Sequence, residues 1–106
     1  MESRVIFANK ELKQAFHNLK NEDERLFKEI QTALGAIKQN AFFGRNVKKK
    51  LIPKEFIKKY DIDNLWIYNL RKDWRLLYTL TNNEIEVLAI ILDWMNHKDY
   101  ERLLRF

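Results

Sequence analysis

Leu12, Ala15, Phe16 and Leu19 recur at the i, i+3, i+4 and i+7 spacing that lines one face of an α-helix, with His17 and Asn18 off that face. Asn9 stands just ahead of this stripe, where its side-chain oxygen can accept a free amide of the first turn. A second stripe, Leu26, Phe27, Ile30, Leu34 and Ile37, follows Asn21 and Glu24, a pair spaced like a capping box. The pattern predicts two helices in a hairpin. Gly35 costs the second about 1 kcal/mol relative to alanine, and Gly44 is its expected stop.

The period changes to two elsewhere. Arg4 to Ala8 is a short β-branched and aromatic stretch that suits an edge strand. Leu65 to Leu70, Trp74 to Thr81 and Ile85 to Leu92 read as a three-strand meander, joined by the polar turns Arg71-Lys72-Asp73 and Asn82-Asn83. In the middle strand Leu76, Tyr78 and Leu80 share one face, the one suited to the helices, and Arg75, Leu77 and Thr79 share the other. The last strand is apolar almost throughout, as in a central strand or one covered on both faces. No repeats interrupt the chain.

Charge changes the picture between the helices and the meander. Lys and Arg number 20 against 15 Asp and Glu, a net charge of +5 over 106 residues, a length that fits one domain spanning 1–106. Arg45, Lys48, Lys49, Lys50, Lys54, Lys58 and Lys59 face a single local acid, Glu55. Such a segment favours an anionic partner. Pro53 lacks a donor and biases Ile52 away from helix, so a loop with one strand or turn is expected here. With no cysteine, disulfide frameworks and thiolate zinc sites are excluded. Val87 to Leu92, the longest apolar run, is far short of the roughly 20 residues that span a bilayer. The start MESRVIFANK is unlike a secretion signal, so a cytoplasmic chain is expected.

Leu65-Trp66 opening a strand, the run Trp74-Arg75-Leu76-Leu77-Tyr78, the apolar strand Val87 to Leu92 and the closing His97-Lys98-Asp99-Tyr100 together resemble the C-terminal half of RelE/ParE-superfamily toxins. The resemblance is strongest from about Pro53 to Phe106; over the helical hairpin only pattern and order agree. It implies a RelE-like α+β fold, with two N-terminal helices on one face of a twisted, mainly antiparallel sheet of about four strands. It also implies the toxin of a type II toxin–antitoxin pair: an endoribonuclease that cuts messenger RNA on the ribosome by attack of a 2′ oxygen, without metal or other cofactor. An acidic antitoxin would be its protein partner. Two alternatives stay open, a ParE-like inhibitor of DNA gyrase and a catalytically degenerate module that binds RNA or antitoxin.

In the resembling toxins an arginine in this strand contacts the scissile phosphate, a role that falls to Arg75. A planar guanidinium suits that contact because it can grip phosphate through two donors; an ion pair with Asp73 is its ordinary structural reading. His97 and Tyr100, three apart, are the acid and base candidates, since either can exchange a proton and the phenol can also stack on a base. Lys50 is the candidate donor to the leaving 5′ oxygen. Arg45, Lys48, Lys49 and Arg71 are the phosphate-binding candidates. Of Trp66, Trp74 and Trp94, Trp74 is expected to be exposed as a stacking platform, worth about 1–3 kcal/mol per base. His17, His97, Asp93 and Asp99 have no recognised metal-ligand spacing. The final strand departs from some active relatives in lacking a second arginine, with Asp93 close by instead.

Overall fold

The computed structural model describes residues 2–71, 73–82 and 86–104. Strand β1 (Ser3–Phe7) leads into helices α1 (Lys10–Glu22) and α2 (Glu24–Gln39). A two-residue strand β2 (Arg45–Asn46), a 3-10 turn (Lys49–Leu51) and helix α3 (Lys54–Tyr60) follow. Strands β3 (Trp66–Asn69), β4 (Trp74–Asn82) and β5 (Val87–Asn96) complete the sheet, and helix α4 (His97–Leu104) lies beyond them. Among the described residues no helix is long and apolar enough to cross a membrane.

The sheet order is β1-β5-β4-β3-β2. Every neighbour is antiparallel except β1, which runs parallel to β5 from Ser3 opposite Val87 to Phe7 opposite Ile91. The α+β class, the helical hairpin and the edge position of β1 agree with the sequence pattern, while β2 raises the strand number to five. Asn9 caps α1 as expected, its Oδ1 accepting the Leu12 amide at 2.8 Å.

Several local expectations are corrected. Asn21 lies inside α1, and Asp23 is the hinge of the hairpin: its amide donates to the Leu19 carbonyl at 2.8 Å and its carboxylate accepts the Leu26 amide at 3.1 Å. A short acid ends one helix and begins the next, where the exposed amides of a first turn favour negative charge. Helix α2 stops at Gln39 with Asn40 as its C-cap, short of Gly44. Pro53 starts α3 instead of interrupting structure, because its φ of −58° and missing N–H are both compatible with a helix N-terminus. The closing HKDY element opens a helix, and β5 runs on to Asn96. Asn83 and Ile85, assigned to the last turn and strand start, lie outside the described residues.

Both faces of the sheet are covered. On one, Phe16, Leu26, Ile30, Ala33 and Ile37 of the hairpin pack against Leu76, Tyr78, Ala89 and Ile91. On the other, Val47, Ile52 and Phe56 of the basic segment and Tyr100 and Leu104 of α4 pack against Leu65, Ile67, Leu77 and Leu92. This second layer explains why β5 is apolar on both sides. A bulge at Leu77/Tyr78 places Leu92 between the pairs Leu77–Asp93 and Tyr78–Ile91, so the strand keeps apolar side chains on each face through the irregularity.

Tyr78 ties the sheet to the basic segment. Its hydroxyl, within a fully buried side chain, donates to the Ala41 carbonyl and accepts the Gly44 amide, each at 3.0 Å. Burial raises the phenol's pKa, only partly offset by the Gly44 hydrogen bond, so it stays neutral. A Cβ on Gly44 would stand 2.6 Å from that hydroxyl and 2.7 Å from the Ile67 carbonyl oxygen, both inside contact distance. Tyr78→Phe strands a buried donor and an acceptor and is expected to cost about 1–3 kcal/mol; Gly44→Ala is expected to destabilise through backbone displacement. Thermal melts check both, and an unchanged melting temperature in Tyr78→Phe would show that the hydroxyl carries no anchoring role.

Candidate functional site

Arg75 is the second residue of β4, opposite Asn69 on β3 and Met95 on β5, and it projects from the face away from the helical hairpin. Its Nη1 donates to the Trp74 carbonyl at 3.0 Å, and its Nη2 lies 3.0 Å from Nδ1 of His97. The guanidinium carbon sits 5.6 Å from the centre of the Tyr100 ring, within cation–π range. Among the described residues it forms no ion pair, so the expected alternative of pairing with Asp73 is not what holds it.

His97 is delivered to this point from the opposite direction. It opens α4, and its backbone amide donates to the carbonyl of Asp73, the left-handed residue (φ 64°) in the turn before β4. Asn96 caps the helix, its Oδ1 accepting the Asp99 amide at 2.9 Å. The fourth helical residue, Tyr100, then turns its ring into the second core, 6.0 Å from the imidazole, while its hydroxyl receives Nη2 of Arg45. Arg45 follows Gly44 directly and is held in β2 opposite Ile67. Two arginines from separate strands, an imidazole and a phenol therefore meet at one end of the sheet.

Glu101 joins them without having been anticipated. Its Oε1 is 2.6 Å from Nε2 of His97, both side chains being partly exposed. The signal was the i,i+4 spacing on a helix, legible only if residues 97–104 are assigned as helical.

Among the described residues, no side chain of the other candidates is joined to this group by a hydrogen bond or ion pair. Lys48, Lys49 and Lys50 are exposed at the 3-10 turn, and among the described residues none hydrogen-bonds or pairs with Arg75, His97 or Tyr100. The turn is nonetheless tethered nearby, since the Val47 amide donates to the Leu65 carbonyl at 2.9 Å and its side chain shares the second core with Tyr100. Arg71 belongs to the helix side, its amide donating to Glu29 at 2.8 Å beside a groove also lined by Arg25 and Lys28. Trp74 is half-buried against the helix-side core, not exposed, because strand alternation puts it on the face of Leu76. Among the described residues no cluster of three or more His, Asp or Glu is placed to hold a metal ion.

Asp93 pairs in register with Leu77, two residues from Arg75 along β4. Burial pushes its carboxyl above the ordinary range, against smaller lowering effects from the Trp94 amide hydrogen bond and from Lys59.

Against solved structures the chain matches a "YoeB/ParE toxin from Agrobacterium tumefaciens" with a TM-score of 0.60 at 14% identity, over 89% of this chain and 98% of that one. The two chains share a fold. No protein-family model matches the chain, and no curated protein sequence does. The shared fold agrees with the RelE-like architecture that the family resemblance implies.

Because the folded protein holds the Asp93 proton more tightly than the unfolded chain does, ionising this carboxyl costs stability. The cost is absent below the ordinary carboxylate pKa, grows as pH rises through the raised value and is complete above it. Asp93→Asn, whose Oδ1 can still accept the Trp94 amide, is expected to melt above wild type at about pH 7, with the gap closing near pH 3. Equal gaps at both pH values would contradict a desolvated carboxyl.

Proposed function

We propose that the protein is the toxin of a toxin–antitoxin pair and that it cleaves messenger RNA by attack of a 2′ oxygen on the adjacent phosphate. The observation that carries this reading is the convergence of Arg45, Arg75, His97 and Tyr100 on one end of the sheet, cations beside groups that can move protons. The fold shared with a toxin supports the broader part of the proposal.

In the proposed reaction Arg75 leaves His97 for a phosphate oxygen, and Arg45 adds a second cation. Together they stabilise the charge that builds on phosphorus. Nδ1 of His97, released from Arg75, takes the proton of the 2′ hydroxyl as the O2′–P bond forms. The P–O5′ bond then breaks, and the departing oxygen takes a proton from Tyr100, with Lys50 as the second candidate for that donor. The products are a 2′,3′-cyclic phosphate and a 5′ hydroxyl, and every step uses groups of this chain. Lys48 and Lys49 would attract the RNA backbone. An acidic antitoxin covering the basic segment and Arg75 would block the site.

Asp93 favours a second reading, because a carboxylate near Arg75 opposes phosphate approach when ionised. In that reading the protein is a gyrase inhibitor that acts by binding alone. Cleavage of a defined messenger RNA in chelator, with and without ribosomes, separates the two. Arg75→Ala is expected to lose at least about 100-fold in rate while folding normally. An undiminished rate would remove Arg75 from the chemistry, and intact RNA from wild type alongside inhibited gyrase supercoiling would favour the second reading.

A further inference from the structure

We infer that Glu101 is a positioning residue that holds His97 in its Nε2–H tautomer, leaving the Nδ1 lone pair turned toward Arg75. The inference about the tautomer stands on geometry alone; its consequence for rate rests on the ribonuclease reading above.

A guanidinium carries only donors, so at 3.0 Å from Nη2 of Arg75 the Nδ1 atom of His97 must present a lone pair. The carboxylate of Glu101 is an acceptor, so at 2.6 Å the Nε2 atom must present a proton. Both contacts are satisfied together by one neutral tautomer. The imidazolium would set N–H against N–H at Arg75, and the Nδ1–H tautomer would lose both bonds. Among the described residues, Tyr100 on α4 also faces the ring, 6.0 Å away between ring centres, and Arg45 on β2 is linked to it through the Tyr100 hydroxyl. From the β3–β4 turn Asp73 contributes its backbone carbonyl to the His97 amide.

Because the imidazole is partly exposed, packing alone does not choose its tautomer or ring orientation. Glu101 does so from one turn further along α4. Its charge also favours the imidazolium that forms when Nδ1 accepts a proton. The atom facing away from Glu101 is therefore preset as a base, and Arg75 masks it until a phosphate draws the guanidinium away.

Two variants separate geometry from charge: Glu101→Gln keeps an acceptor for Nε2–H without the negative charge, and Glu101→Ala removes both. The test reads the imidazole nitrogens by two-bond ¹H–¹⁵N correlation at alkaline pH. The chain has two histidines, and His17, exposed on α1, serves as the internal reference. Wild type and Glu101→Gln should show His97 as a single Nε2–H form, and Glu101→Ala a mixture of tautomers. In the cleavage assay Glu101→Gln should lower kcat by about 10- to 100-fold with KM little changed, less than the loss of the base itself. A mixed or Nδ1–H signal in wild type, or an unchanged tautomer in Glu101→Ala, would overturn the inference. If the tautomers behave as stated while wild type cleaves no RNA, the positioning role stands and the ribonuclease reading falls.

Discussion

The structure depends on the register of β4. Leu76 and Tyr78 are buried under the helical hairpin and Leu77 is buried under the segment that follows it, so this strand is fixed from both faces. A slip of one residue would turn Leu76 and Tyr78 out of their core and exchange every side chain between layers, at a cost of several buried side chains. That constraint sends Arg75 to the face away from the helical hairpin. An arginine there has a solvent-facing end of the sheet within reach and a cation–π partner in Tyr100.

The remaining members of the site arrive through ties to the same strand. The Tyr78 hydroxyl grips Ala41 and Gly44, and Arg45 is the next residue. The carbonyl of Asp73, one residue before β4, receives the amide of His97 and so fixes the start of α4. Two parts of the chain far apart in sequence are thus indexed to one strand, and the site's geometry follows from packing that is mostly apolar. The lysine-rich turn is held more loosely. It is exposed and reaches the second core chiefly through Val47 and Ile52, an arrangement suited to attracting a polyanion without fixing where each cation sits.

Much of the scaffold was legible in the sequence because its signals are periodic. The stripes of α1 and α2 and the alternation in β4 each repeat often enough to outweigh local ambiguity, and the alternation alone placed Arg75 on the correct face. Boundaries were harder, since Asp23 and Asn21 are both competent caps and only packing of the hairpin selects between them. Helices α3 and α4 were missed for a related reason: each has eight or fewer residues, too short to show a full stripe, and each is stabilised by docking on the sheet. Missing α4 hid Glu101, whose relation to His97 exists only at helical spacing. Arg45, Arg75, His97 and Tyr100 were recognisable by residue type, but the contact between Arg45 and Tyr100 is 55 residues long-range and has no local signal. Trp74 shows the reverse failure, because a tryptophan beside a turn reads as exposed while its strand position buries half of it.

The central claim is that this cluster performs phosphoryl transfer through a 2′ oxygen, and the chemistry of the RNA ends tests it most directly. Messenger RNA exposed to the protein on ribosomes would be sequenced at its new termini after enzymes that discriminate 5′ hydroxyl from 5′ phosphate and cyclic phosphate from free 3′ hydroxyl. Paired 2′,3′-cyclic phosphate and 5′ hydroxyl ends, absent when the nucleotide 5′ to the cut carries 2′-deoxyribose, are the expected result. Ends carrying 5′ phosphate and 3′ hydroxyl, or cutting that persists at the 2′-deoxy position, would contradict it.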